Sequence, residues 1–275
     1  MDYRYLLTLS RPRFWLYLAG PVLVGATYAA TELGDLAAPV VLALAAYFLV
    51  PANVLLYGIN DVFDRDVDEH NPKKEEREAR YRGSRDVLVA LAASGVLGLG
   101  TFAITPPVSW PWLAGFFVLA VGYSAPPVRF KTTPVLDSVS NGLYVLPGAA
   151  AYAAVAGTHP PALAVLGGWL WTMGMHTFSA IPDIEPDREA GIRTTATWLG
   201  ESTTFAYCIG VWALAAAAFA LLDPPFLVVF GVYPAFCAWV AASDVSVDRA
   251  YWWFPYLNGA AGMLLTLGGL WRLYG

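Results

Sequence analysis

A chain of 275 residues with 57% hydrophobic and only 13% charged side chains is excluded from the ordinary soluble class, in which about 25% are charged. A net charge of −5 offers no basic face for nucleic acid. Eleven Trp and fifteen Tyr suit two membrane interfaces, where amphipathic rings settle, so the expected fold class is an all-α polytopic membrane protein.

A hydrocarbon core takes roughly 20 apolar residues per helix. In chain order nine stretches meet that need: 14–31, 36–58, 87–104, 110–124, 135–156, 162–181, 203–222, 225–243 and 254–272. Pro and Gly mark the gaps, as in TPPVSWP, APPVRFKTTP, THPP and DPP. Apolar residues run on continuously instead of alternating, which argues against a β-barrel. Arg11 and Arg13 precede the first stretch with no small-residue cleavage site after it, so no removable leader is expected. Cys208 and Cys237 fall in apolar stretches and are expected to be buried free thiols.

Fifteen of the sixteen Lys and Arg lie in the N-terminal tail or where even-numbered helices exit; Arg272 alone lies on the other side. The positive-inside rule then places the N-terminus and those exits in the cytoplasm. The expected location is the plasma membrane, with residues 1–275 forming a single transmembrane domain.

The second exit reads YGINDVFDRDVDEHNPKK. If its helix continues past residue 58, Asp61, Asp64 and Asp68 share one face, with Asn60 just before them. The sixth exit reads SAIPDIEPDREAGIRTTATWLG and holds Asp183 and Asp187. Pro182 and Pro186 interrupt a helix there, so this pair is expected on a kinked or freshly started one. Four helices separate the clusters, which puts both on one side and allows a single mouth.

Stacked carboxylates beside hydrocarbon repel one another and usually mark function. Mg²⁺ relieves that conflict. It prefers hard oxygen and typically takes one or two carboxylates plus substrate phosphates. Asp61, Asp64, Asp68, Asp183 and Asp187 are therefore candidate metal ligands around a diphosphate. The fourth exit, YSAPPVRFK, adds Tyr123, Ser124, Arg129 and Lys131. Arg13 and Arg188 join these as candidate diphosphate partners, Arg as a planar fork and Lys as a point charge. Topology alone also accounts for the basic residues. A calcium loop would use Asp64, Asp66, Asp68 and Glu75, but Glu69 stands where that turn demands Gly. Inside the spans, Asn141 and His176 are each expected to make an interhelical hydrogen bond. His176 lies seven residues before Asp183, on the same expected helix face.

The motifs N-D-x-x-D-x-x-x-D, Y-S-x-P-P-x-R-x-K and D-x-x-x-D, in this order, resemble the UbiA superfamily of intramembrane prenyltransferases over essentially the whole chain. The resemblance implies nine helices around a central cavity, an allylic diphosphate bound through Mg²⁺, and transfer of its prenyl group to a lipophilic acceptor. It gives Asn60, Asp61, Asp64, Asp68, Asp183 and Asp187 catalytic roles at the metal and diphosphate, and makes Arg129 and Lys131 the diphosphate clamp. The stretches SRPRFWLYLAGP and HTFSAIPDIEPDREAGIRTTAT are similar to the lycopene elongase branch. That branch moves five-carbon units from dimethylallyl diphosphate to lycopene, in some members with hydration. Other branches (quinone precursor, chlorophyll, archaeal ether lipid) stand as alternatives. A membrane protein that binds or transports divalent cations is the non-enzymatic one. A CDP-alcohol phosphotransferase lacks its D-G-x-x-A-R element here. A transporter would carry acids at the midplane, whereas Asp137 alone comes near a span interior.

Overall fold

The computed structural model describes residues 3–64, 81 and 83–274. Every regular element among them is a helix, and helices lie at all nine apolar places. Four helical stretches are long and apolar enough to cross a membrane by length and composition: Leu33–Phe63, Arg85–Ile104, Leu136–Ala156 and Glu201–Ala220. Two of these carry interruptions that hydropathy does not report.

The apolar run at 36–58 is two helices, Pro39–Leu49 and Pro51–Phe63. Proline is tolerated in a first turn but not in a helix interior, so Pro51 starts a new helix and Val50 leaves helical geometry at φ −125° and ψ −59°. The break releases carbonyls inside an apolar setting. Asn53 Nδ2 donates to two of them, Phe48 O and Leu49 O, both at 3.0 Å. A buried asparagine thus stabilises the bend that aims the second exit.

The chain forms two compact units. One comprises residues 1–128, 146–159 and 266–275. In it the helices Trp15–Ala29 and Leu146–Ala156 meet backbone to backbone, because a β-carbon on Gly25 would strike the Gly148 carbonyl. Small residues permit that approach between apolar helices. Phe48 and Phe116 pack edge to face nearby, with centroids 5.0 Å apart.

The other unit comprises residues 129–145 and 160–265. Its core is aromatic: Phe178, Trp212, Tyr233 and Phe254 are fully buried. Their polar atoms have partners, since Trp212 Nε1 donates to Trp171 O at 3.0 Å and Tyr233 hydroxyl to Asn258 Oδ1 at 2.8 Å. Cys208 and Cys237 are buried free thiols, as expected. Here Leu136–Val139 passes into a 3₁₀ stretch, Ser140–Tyr144. Trp169 packs against Gly142, where any β-carbon would overlap the indole.

Candidate active site

In the first unit, the helix Pro51–Phe63 continues past residue 58, and Asp61 sits on its last turn with 1% exposure. Asp64 caps its end, its N–H donating to Asn60 O at 2.9 Å. Asp68 lies outside the described residues. Ser124, at the end of Trp110–Ser124 beside Tyr123, donates to Asn60 Oδ1 at 2.9 Å. The second and fourth exits therefore meet at Asn60.

Arg11 faces this turn from the N-terminal segment. Its Nη2 lies 3.4 Å from Asp61 Oδ1, and its guanidinium covers the Tyr57 ring at 4.5 Å. Arg11 holds a left-handed conformation at φ 48°, where non-glycine residues are uncommon. Arg13, the residue expected near the diphosphate, lies over the Phe14 ring at 5.2 Å. The motif R-P-R signals both cations, but which one reaches the acid depends on the turn at Pro12.

In the second unit, the helix Ala162–Ser179 ends before Pro182. A 3₁₀ turn, Ile181–Asp183, leads into a fresh helix, Ile184–Glu189. Asp183 occupies the N-cap and Asp187 the first turn, where a helix dipole favours negative charge. His176 therefore shares no helix with Asp183, which corrects the expectation of one common face. Arg129 also adopts a left-handed conformation, at φ 43°, and with Lys131 frames the 3₁₀ turn Phe130–Thr132. Arg188 Nη1 pairs with Glu185 at 2.6 Å and its Nη2 donates to Thr197 O at 3.1 Å. Its observed carboxylate partner is thus a neighbour on its own helix.

A buried polar knot underlies this turn, and the sequence pattern does not announce it. Asp137 is fully buried. It accepts from Thr195 N at 2.8 Å and from Thr195 Oγ1. The same hydroxyl accepts from Val135 N at 2.8 Å, pinning Val135 at φ 72°, a strained position for a β-branched residue. His176 Nε2 stands 4.0 Å from Asp137 Oδ2. Asn141 donates to Asp137 O at 2.6 Å, a bond within its own segment and not the interhelical one expected. Thr177 donates to Ser138 at 2.8 Å, and Ser138 pairs with Tyr207 at 2.9 Å. The available signals were a lone acid in an apolar run and the threonines of RTTATW.

The profile of the UbiA prenyltransferase family matches residues 18–271. The chain belongs to the UbiA prenyltransferase family. As a UbiA member it is a membrane-integral prenyltransferase. It is 67% identical over 269 residues to a lycopene elongase/hydratase of Haloferax volcanii, covering 98% of this chain and 89% of that protein. To a lycopene elongase/hydratase of Halobacterium salinarum it is 63% identical, covering 98% of each. The UbiA fold is seen in a homologue from Archaeoglobus fulgidus bound to DMAPP and Mg²⁺ (TM-score 0.72, 21% identity, 98% of this chain and 99% of that one). It is seen again in an apo UbiA homologue from Aeropyrum pernix (TM-score 0.71, 20% identity, 94% and 98%).

Proposed function

We propose that this UbiA enzyme transfers a dimethylallyl group from its diphosphate to lycopene and adds water to part of the product. The observation that carries the reading is near full-length identity, 67% and 63%, to two proteins that bear the name lycopene elongase/hydratase. We propose further that residues 1–275 form a single domain of nine membrane crossings in the plasma membrane, with the N-terminus and the active mouth cytoplasmic. The two carboxylate clusters would then grip one diphosphate at a single mouth.

The donor set suits Mg²⁺. Asn60, Asp61, Asp64, Asp183 and Asp187 present only hard oxygen, with neither thiol nor imidazole. Among the described residues no three His, Cys, Asp or Glu gather into a preformed cage. Asp61, Asp64, Asp68, Asp183 and Asp187 would hold the metal, which when bound supplies neutralisation of the leaving group's charge. Arg129 and Lys131 clamp the diphosphate oxygens, Tyr123 and Arg13 flank it, and Arg188 steadies the second acidic turn.

The allylic C–O bond breaks to diphosphate and a delocalised cation. Charge develops on the leaving oxygen, where fixed cations in a dry site stabilise it most. The terminal alkene of lycopene attacks the allylic carbon and leaves a tertiary cation on the product. Loss of a proton gives an alkene; capture of water gives an alcohol. Aromatic walls contribute about 0.5–2 kcal/mol per ring to such a cation. Expression in lycopene-producing cells tests the reading: longer, more polar carotenoids are expected. Unchanged lycopene together with prenylation of an aromatic acid would move the chain to a quinone branch.

A further inference from the structure

We infer that a cavity beside the Phe130–Thr132 turn and the Thr195–Leu199 helix binds an anionic phospholipid, whose headgroup phosphate is held by Arg193. The inference goes beyond the transfer reaction. It needs only the membrane-integral character of the family, and it stands whatever the prenyl acceptor is.

The cavity has a volume of about 530 Å³ and is lined by Thr132, Thr133, Pro134, Val135, Arg193 and Trp198. All six residues belong to the second unit. The volume lies in the range of small-ligand sites, about 300–1,000 Å³, and is more than a bare phosphate would fill. None of the six is acidic. A diphosphate that arrives with Mg²⁺ finds no carboxylate on this wall, which sets the cavity apart from Asp183 and Asp187. An anion that needs no divalent metal is the better match.

The polar groups of the lining are donors. Asp183, Glu185, Asp187 and Glu189 all lie within ten positions before Arg193. Glu185 pairs with Arg188. Arg193 is exposed and makes no ion pair with any described residue. The Thr133 hydroxyl and Trp198 Nε1 likewise donate to no described residue. A guanidinium fork, a hydroxyl and an indole N–H around one space suit phosphate oxygens.

The rest of the lining is apolar. Trp198 is 61% and Val135 46% exposed, and Pro134 lies beside Val135 in the chain. In a membrane-integral protein, indole rings settle at headgroup level. A soluble anion would leave this apolar surface uncovered. A phospholipid covers both parts, its phosphate on the donors and the root of its chains on the ring and the Val135 side chain.

The site is built before a ligand arrives. Val135 N donates to Thr195 Oγ1 at 2.8 Å across sixty residues, and Thr195 N donates to the buried Asp137 at 2.8 Å. Thr194 N donates to Thr197 Oγ1 at 2.7 Å, and Thr197 N to Thr194 Oγ1 at 3.2 Å. These bonds close the first turn of the helix that carries Trp198. One hydroxyl thus ties the segment bearing Thr133 and Val135 to the segment bearing Arg193 and Trp198. Binding then requires little ordering of the backbone.

The test uses the full chain, purified in detergent and stripped of lipid. Dioctanoyl phosphatidylglycerol is titrated, with the thermal unfolding midpoint and the lipids retained in native mass spectrometry as readouts. The midpoint should rise with this lipid, and a bound lipid should be retained. Arg193→Gln should weaken the apparent affinity by at least about tenfold, the scale of one charge-assisted contact. Arg193→Lys keeps the charge without the fork and should fall between the two, and Thr133→Val should weaken binding by less than Arg193→Gln. Arg193 is exposed and unpaired, so Arg193→Gln should leave the lipid-free midpoint in place. If it does not, Thr133→Val decides, and unchanged affinity in that variant overturns the inference. Unchanged affinity in Arg193→Gln overturns it directly. Dioctanoyl phosphatidylcholine, which has no net charge, should bind more weakly, and equal binding would remove the anionic preference. An equal rise with inorganic phosphate would make this a free-anion site. Displacement of the lipid by dimethylallyl diphosphate in excess chelator would make it a donor subsite. Either result overturns the lipid assignment.

Discussion

Arg11 Nη2 lies 3.4 Å from Asp61 Oδ1, and that carboxylate is 99% removed from solvent. An N-terminal cation thus reaches fifty residues along the chain to the first acid of the motif. Removing one partner of a buried pair leaves an uncompensated charge and costs about 3–5 kcal/mol. Arg11→Ala should therefore lower the unfolding midpoint in detergent. Arg11→Met combined with Asp61→Asn should recover most of the loss while remaining inactive. Recovery of neither stability nor fold in the double variant would show that the pair is not what holds the turn.

Ser124 joins the same turn from the fourth exit through Asn60 Oδ1 at 2.9 Å. Neutral hydrogen bonds contribute about 0.5–1.5 kcal/mol, so Ser124→Ala should cost little stability. If Asn60 orients the diphosphate, the variant should raise KM for dimethylallyl diphosphate several-fold with kcat little changed. A fall in kcat alone would assign the bond to something other than donor binding.

The helix places were legible because a bilayer demands continuous apolar runs, and each run has a helix on it. The interior breaks were not. Pro51 sits in a stretch whose hydropathy does not change across it, so 36–58 reads as one span although Val50 leaves the helix. Ser140–Tyr144 turns 3₁₀ within 135–156, where Gly142 faces the Trp169 ring, a contact no local pattern encodes. Spacing singles out Asp61, Asp64, Asp183 and Asp187 as a proposed site because repelling carboxylates beside hydrocarbon need a purpose, and the structure puts the first two at the end of one helix and the other two at the start of another. It does not single out Asp137, since a lone acid has no period, and its partners Thr195 and His176 lie fifty-eight and thirty-nine residues away. The face shared by His176 and Asp183 failed because Pro182 ends the helix that the count assumed.

The break at Val50 gives a sharper test of the same point. Asn53 Nδ2 satisfies two carbonyls there, Phe48 O and Leu49 O. Buried acceptors left without donors cost about 1–3 kcal/mol. Asn53→Leu keeps the bulk and removes the donors, so the detergent unfolding midpoint should fall. Activity should fall with it, because the following helix carries Asn60 and Asp61. A variant as stable as the unaltered protein would mean the bend is set by Pro51 alone.

Glycines separate packing from propensity. A β-carbon at Gly142 overlaps the Trp169 indole, whereas Gly210, in Glu201–Ala220, meets nothing within 4 Å. Gly142→Ala should destabilise by about 1–3 kcal/mol through overpacking. Gly210→Ala should be neutral or stabilise by up to about 1 kcal/mol, since glycine weakens a helix. Equal effects at both sites, measured by thermal unfolding, would remove the argument from the 3₁₀ stretch.

Chelation reads the proposed role of the carboxylates directly. If the two clusters share one diphosphate through Mg²⁺, diphosphate release from dimethylallyl diphosphate should stop in excess chelator and return with added Mg²⁺. Asp61→Asn or Asp183→Asn should each reduce release by about a hundredfold, the scale of removing one element of charge stabilisation at a leaving group. The two substitutions together should cost little more than either alone, because groups that act as one unit are not additive. Raised Mg²⁺ should partly rescue the single variants by mass action. Fully additive losses would place the clusters in separate tasks, and undiminished release in chelator would leave the acids without the role proposed for them.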